Sequence, residues 1–112
     1  MKNGEKEIQN VAAEFEKALQ KQGKLFYRLK LFISANSPRS NKAILNLKYI
    51  CQTYLDEKYE LEVIDVLKER SSLKTYHIIA IPTLIKETPL PKRKLIGDLS
   101  NKEEVLYGLG IK

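Results

Sequence analysis

Residues 25–66 read LFYRLKLFISANSPRSNKAILNLKYICQTYLDEKYELEVIDV, and this stretch decides the fold. From Leu25 to Ser34, the positions Leu25, Tyr27, Leu29, Leu31 and Ile33 share one face at the period of two that a strand imposes. Phe26 and Phe32 lie on the other face with Arg28 and Lys30. A strand apolar on much of both faces belongs in the middle of a covered sheet. Ala35-Asn36-Ser37-Pro38-Arg39-Ser40 then supplies turn formers and a helix-starting proline. The spacing predicts a helix from about Asn41 to Leu55. Its stripe is Ile44, Leu47, Cys51 and Tyr54, with Ala43, Ile50 and Leu55 beside it. Tyr59 to Val66 reads as a second strand, apolar at Leu61, Val63, Ile64 and Val66. Strand, helix and strand in this order make a βαβ unit, with parallel strands and a right-handed crossover.

Downstream, Leu67 to Ile79 predicts a second helix with Leu73, Tyr76 and Ile79 inward. Pro82 to Lys86 reads as a short strand, its proline tolerated at the start because the missing N–H need not join the ladder. After the loop Glu87-Thr88-Pro89-Leu90-Pro91, residues Arg93 to Ile96 predict a strand antiparallel to it. Ser100-Asn101-Lys102-Glu103 has the capping-box pattern that starts a helix, and Val105, Leu106 and Leu109 give that helix its apolar side. Upstream, Ile8, Val11, Ala12, Phe15, Ala18 and Leu19 recur at helical spacing and Gly23 ends the pattern. Residues 1–24 therefore read as an amphipathic helical arm and 25–112 as one domain. The order is an extra helix followed by βαβαββα, the topology of the thioredoxin-like fold.

That fold places reactive cysteines between its first strand and helix, but here the position holds Asn36-Ser37-Pro38-Arg39-Ser40. Cys51 is the only cysteine and sits on an apolar stripe, so it reads as an inert buried thiol, and neither a disulfide nor a Cys-x-x-Cys pair can form. With one histidine, His77, a zinc site of Cys and His lacks ligands. His77 and Asp65 have no evident catalytic partner, the five glycines form no phosphate loop, and no enzyme activity or cofactor is expected. No stretch approaches the roughly 20 apolar residues of a membrane helix, and the first residues lack a signal peptide's apolar core, so the expectation is a soluble cytoplasmic protein. Lys and Arg outnumber Asp and Glu by 20 to 14, a net charge of +6 that favours acidic partners. The basic clusters at Lys68, Arg70 and Lys74 and at Lys92, Arg93 and Lys94 are not interleaved with exposed aromatics, since the tyrosines fall mainly at core positions, with Tyr76 the exception. An acidic protein surface therefore ranks ahead of nucleic acid.

Several segments resemble the KaiB family. Lys30-Leu31-Phe32-Ile33 followed by Asn36-Ser37-Pro38 and Ser40 looks like its first strand and turn. Val63-Ile64-Asp65-Val66-Leu67-Lys68, Pro82-Thr83-Leu84 and the run from Pro89 to Ser100 follow in the family's order and spacing. The resemblance implies a non-catalytic regulator of a KaiC-like RecA-type ATPase and autokinase, acting in clock-like or stress-response signalling. It also implies a histidine kinase as a further partner and a homo-oligomer, dimer or tetramer. The family has two folds: the thioredoxin-like one, and a tetrameric rearrangement of order βαββααβ. Candidate partner contacts are Lys68, Arg93 and Lys94. Pro82, at the place where thioredoxin-like folds keep an often cis proline, and Gly97 and Asp98, where the two folds should diverge, are candidates for fold control. The alternative function is a redox-inactive sensor or adaptor in two-component signalling. The chain departs from the clock proteins at Ala35 and at Lys74-Thr75-Tyr76-His77, where an acidic segment is usual.

Overall fold

In a computed structural model the described residues are Glu14 and 25–111. The arm expected over 1–24 therefore lies outside the described residues, Glu14 apart. The elements are β1 (Tyr27–Ile33), α1 (Pro38–Tyr54), β2 (Tyr59–Asp65), α2 (Ser71–Thr75), β3 (Thr83–Thr88), β4 (Arg93–Ile96) and α3 (Lys102–Leu109). The described residues thus take the βαβαββα arrangement and not the βαββααβ order.

The strands form one sheet in the order β2-β1-β3-β4. β1 runs parallel to β2, from Tyr27 opposite Tyr59 to Ile33 opposite Asp65. β3 lies antiparallel to β1, and β4 antiparallel to β3. β1 is thus central, as its two apolar faces require. Leu29, Leu31 and Ile33 face a core shared with Ala43, Leu47, Ile50 and Cys51 of α1, and with Val105 and Leu109 near the chain's end. Phe32 faces the opposite core with Ile64, Val66, Ile78 and Ile85, onto which Leu73 and Tyr76 pack. Each fully buried side chain of this size contributes roughly 1.5–3 kcal/mol.

Local chemistry moves several boundaries. β1 begins at Tyr27, two residues later than expected. α1 starts at Pro38, earlier than expected, because the Ser37 hydroxyl accepts from the Ser40 N–H at 3.3 Å and Pro38 has no N–H to satisfy. Its buried stripe is Ser40, Ala43, Leu47, Ile50 and Cys51, so Ile44 and Tyr54 lie at the margin of the core. α2 is one short turn, and Ile79 is 90% exposed instead of inward. The chain leaves α2 through His77 at φ 53°, which turns the backbone before Ile79 can reach the core. α3 is capped by Asn101, not Ser100: the Asn101 side chain accepts from the Glu104 N–H at 3.2 Å. Ser100 instead donates its N–H to Asp98 Oδ1 at 3.0 Å, which spends it on the preceding turn. The capping-box pattern was offset by one residue. At the other end Gly110 takes φ 75°, the left-handed conformation that closes a helix at little cost to glycine.

Candidate partner-binding surfaces

The start of α1 stands where a thioredoxin would carry its thiols. Ser37 caps the helix, and the fully buried Ser40 accepts the Ser34 N–H at 3.1 Å. Both hydroxyls are absorbed in shaping the turn. Cys51 is buried in the core under α1, and desolvation pushes its thiol up to about 11, far from the thiolate that exchange chemistry requires.

Pro82, Gly97 and Asp98 come together beside that helix start. The Ile81–Pro82 peptide bond is cis, as are those before Pro89 and Pro91. The Gly97 N–H donates to the Pro82 carbonyl at 3.0 Å, joining the loop before β3 to the end of β4. Gly97 sits at φ 115°, open to glycine and hostile to other residues. Asn46 of α1 donates to the Asp98 carbonyl oxygen at 2.9 Å. Hydrogen bonding by Ser100, with Arg39 and Lys42 nearby, holds the Asp98 carboxyl below its ordinary range. An open cavity of about 430 Å³ is lined here by Arg39, Gly97, Asp98, Ser100 and Glu104. The sequence signals for this site were the glycine and the proline; Arg39 and Asn46 were missed, because a residue's approach across 52 positions leaves no local pattern.

The three basic candidates separate. Lys68 lies exposed in the turn after β2, its N–H donated to the Asp65 carbonyl at 3.0 Å. Arg93 and Lys94 belong to β4, at the other edge of the sheet. There a groove of about 340 Å³ runs between the end of α2 and β4, floored by Tyr76 and Ile85 and rimmed by Lys92 and Arg93. Lys94 binds the Tyr76 and His77 carbonyls at 2.8 and 3.1 Å, so part of its charge holds the C-terminal end of α2 in place.

Tyr76 also turns inward over the sheet and is only half-buried. Its hydroxyl accepts from Lys30 Nζ at 2.7 Å, and its ring lies 5.0 Å from Phe32. Lys30 further contacts Glu87 at 3.4 Å and Glu62 at 3.8 Å. The Tyr76 hydrogen bond, with the charge of Glu87, raises the Lys30 pKa above its ordinary value. The exposed tyrosines are Tyr49 and Tyr107, at 57% and 85%. Both sit on outer helix faces, where a single aromatic breaks no periodicity. Among the described residues no group of three or more His, Cys, Asp or Glu side chains is poised for a metal, and no helix is long and apolar enough to cross a membrane.

A four-stranded sheet covered on both faces, with no cysteine between β1 and the start of α1, defines a thioredoxin-like domain built without the dithiol. Solved structures agree on the fold. The N-terminal domain of SasA from Synechococcus elongatus superposes with a TM-score of 0.62 at 23% identity, covering 77% of this chain and 85% of that one. Mitochondrial thioredoxin 3 from Saccharomyces cerevisiae gives 0.63 at 17% identity, covering 87% and 86%. Residues 30–111 match the KaiB domain, and the chain belongs to the KaiB family. It is 47% identical to the circadian clock protein KaiB3 of Synechocystis over 83 residues, 74% of this chain and 81% of the relative. It is 46% identical to the circadian clock oscillator protein KaiB of Synechococcus elongatus over 85 residues, 76% and 83% of the two chains.

Proposed function

We propose that this protein is a non-catalytic regulator that docks on a KaiC-type RecA-like ATPase and autokinase, in clock-like or stress-response signalling. The observation that carries this reading is the KaiB match over residues 30–111, laid on a frame with no cysteine between β1 and α1, where Asn36-Ser37-Pro38-Arg39-Ser40 stands. A scaffold kept without its chemistry is suited to binding. Lys68, Arg93 and Lys94 supply charged contacts to an acidic face of the partner. They lie in two separate places, so the partner spans more than one edge of the domain. Pro82, Gly97 and Asp98 govern exchange with a second arrangement of the C-terminal half, supported by the bond from Gly97 to the Pro82 carbonyl and the turn that Asp98 builds. Residues 1–24 form an arm added to the domain, and the working assembly is a cytoplasmic homo-oligomer.

The test is association of the purified full chain with the KaiC homologue of the same organism, followed over hours by light scattering coupled to size exclusion. Binding that weakens with salt and falls at least about tenfold in a Lys68→Glu/Arg93→Glu variant supports the reading. Absence of binding to the KaiC homologue, with capture of a histidine kinase in its place, would shift the function to an adaptor in two-component signalling.

A further inference from the structure

The sheet ends in two open edges of opposite charge. Among the described residues no strand pairs with the outer side of β2 or of β4. β2 exposes Glu60 and Glu62, whereas β4 and the residue before it expose Lys92, Arg93 and Lys94. An open strand edge is a template for another strand. Like charges placed opposite each other repel, so β2 against a second β2 and β4 against a second β4 are both disfavoured. The same charges favour β2 against β4.

The registers make this pairing specific. Glu62 pairs with Lys30, Lys30 with Ile85 and Ile85 with Lys94, so the four form one row across the sheet. The next two rows end on Val63 and Leu95, and on Ile64 and Ile96. β2 and β4 also run in the same direction, because β2 is parallel to β1 and two antiparallel steps separate β1 from β4. A second copy shifted along these rows therefore lays its β4 parallel to β2 of the first, with neither face reversed. Lys94 then meets Glu62, Leu95 meets Val63 and Ile96 meets Ile64. Val63 and Ile96, 41% and 59% exposed in the single chain, both gain apolar neighbours. Lys94 gives two of its three donors to the Tyr76 and His77 carbonyls, and Glu62 makes a loose 3.8 Å contact to Lys30.

We propose that copies of this chain associate head to tail, β4 of one adding in parallel to β2 of the next. The contact is heterologous, so each chain of copies keeps one acidic and one basic end unless it closes into a ring. It stands independently of the KaiC-type reading, although Lys94 serves both. Its charges are exposed, so the association is salt-sensitive.

The experiment is sedimentation of the full chain at rising concentration, at about 20 mM and about 0.5 M salt, where screening lengths differ several-fold. The wild type should grow in mass at low salt and approach monomer at high salt. A Glu60→Lys/Glu62→Lys variant loses the acidic edge and a Lys92→Glu/Lys94→Glu variant loses the basic one, so each alone should be monomeric. Mixed at low salt they should grow in mass again as alternating copies, because the intact edges match each other and the reversed charges restore the match at the other contact. Circular dichroism checks the fold; should loss of Lys94 release α2, Ile96→Asp at an exposed position replaces that variant. A wild type monomeric throughout, association undiminished in the single variants, or a mixture that stays monomeric would each overturn the proposal.

Discussion

Tyr76 serves apolar packing and a polar contact with one side chain. Its ring packs on Phe32 while its hydroxyl holds Lys30, a cation that β1 places on a sheet face. Tyr76→Phe keeps the ring and removes the acceptor, so it should lower stability by about 1 kcal/mol, whereas Tyr76→Ala should cost about 3 kcal/mol or more by emptying the site over Phe32. Urea unfolding of both variants reads the difference, and equal losses would deny the hydrogen bond any part. Asp98 carries a pH signature. Its carboxyl is held below its ordinary range in the folded chain by Ser100, so the group binds protons more readily when unfolded. Its contribution is therefore fully present above the ordinary carboxylate value and is lost as pH falls through the lowered one. Melting temperature should decline on acidification less steeply in Asp98→Asn than in the wild type, and identical acid limbs would deny Asp98 that role.

At the scale of elements, α3 tests which residue caps a helix. Asn101→Ala should cost about 1 kcal/mol by orphaning the Glu104 N–H, and Ser100→Ala less, since it removes only a side-chain hydrogen bond to Asp98 in the exposed preceding turn and leaves both the Ser100 N–H bond and the Asn101 cap in place. Thermal unfolding of the pair separates the two, and a larger loss at Ser100 would restore the capping box. The helix itself was legible in Val105 and Leu109, which point to the core as expected; its first residue was not, because Ser100 and Asn101 both satisfy the cap preference and only the turn at Asp98 decides between them. The same division holds in β1, β2 and α1. Their alternation and helical spacing announced the βαβ unit, while the early start of α1 depended on the Ser37 hydroxyl accepting the Ser40 N–H ahead of Pro38. α2 was overestimated for a different reason: Leu73, Tyr76 and Ile79 keep helical spacing, but the left-handed backbone at His77 breaks the run before Ile79.

On the scale of the whole molecule, the candidate site was legible as a set of residue types and not as an arrangement. Gly97 and Pro82 could be singled out from the chain, but their contact, and the placing of Lys68 and Arg93 at opposite edges, follow from the strand order β2-β1-β3-β4, which local patterns do not contain. The absence of thiols was legible at once, and the structure shows how little separates this frame from the redox one. Ser37 caps α1 with its side chain against the Ser40 N–H, and Pro38 lies between them at the first helical position, the geometry a Cys-x-x-Cys pair occupies at a helix N-terminus. Ser37→Cys/Ser40→Cys should therefore close an intrachain disulfide under a glutathione redox buffer, because two residues three apart at a helix start can meet the ~5.5 Å Cα separation the bond requires. Cys51 would take no part, its thiol being buried and pushed up to about 11. Mass spectrometry after alkylation should find one thiol blocked from the label by burial and two lost to the bridge, and mixed-disulfide trapping with a small thiol should report exchange at the new pair alone. The wild-type chain should show neither. A double variant that stays fully reduced would mean that the start of α1 departs from the thioredoxin geometry, and that the serines reflect a changed backbone rather than a binding module left without its chemistry.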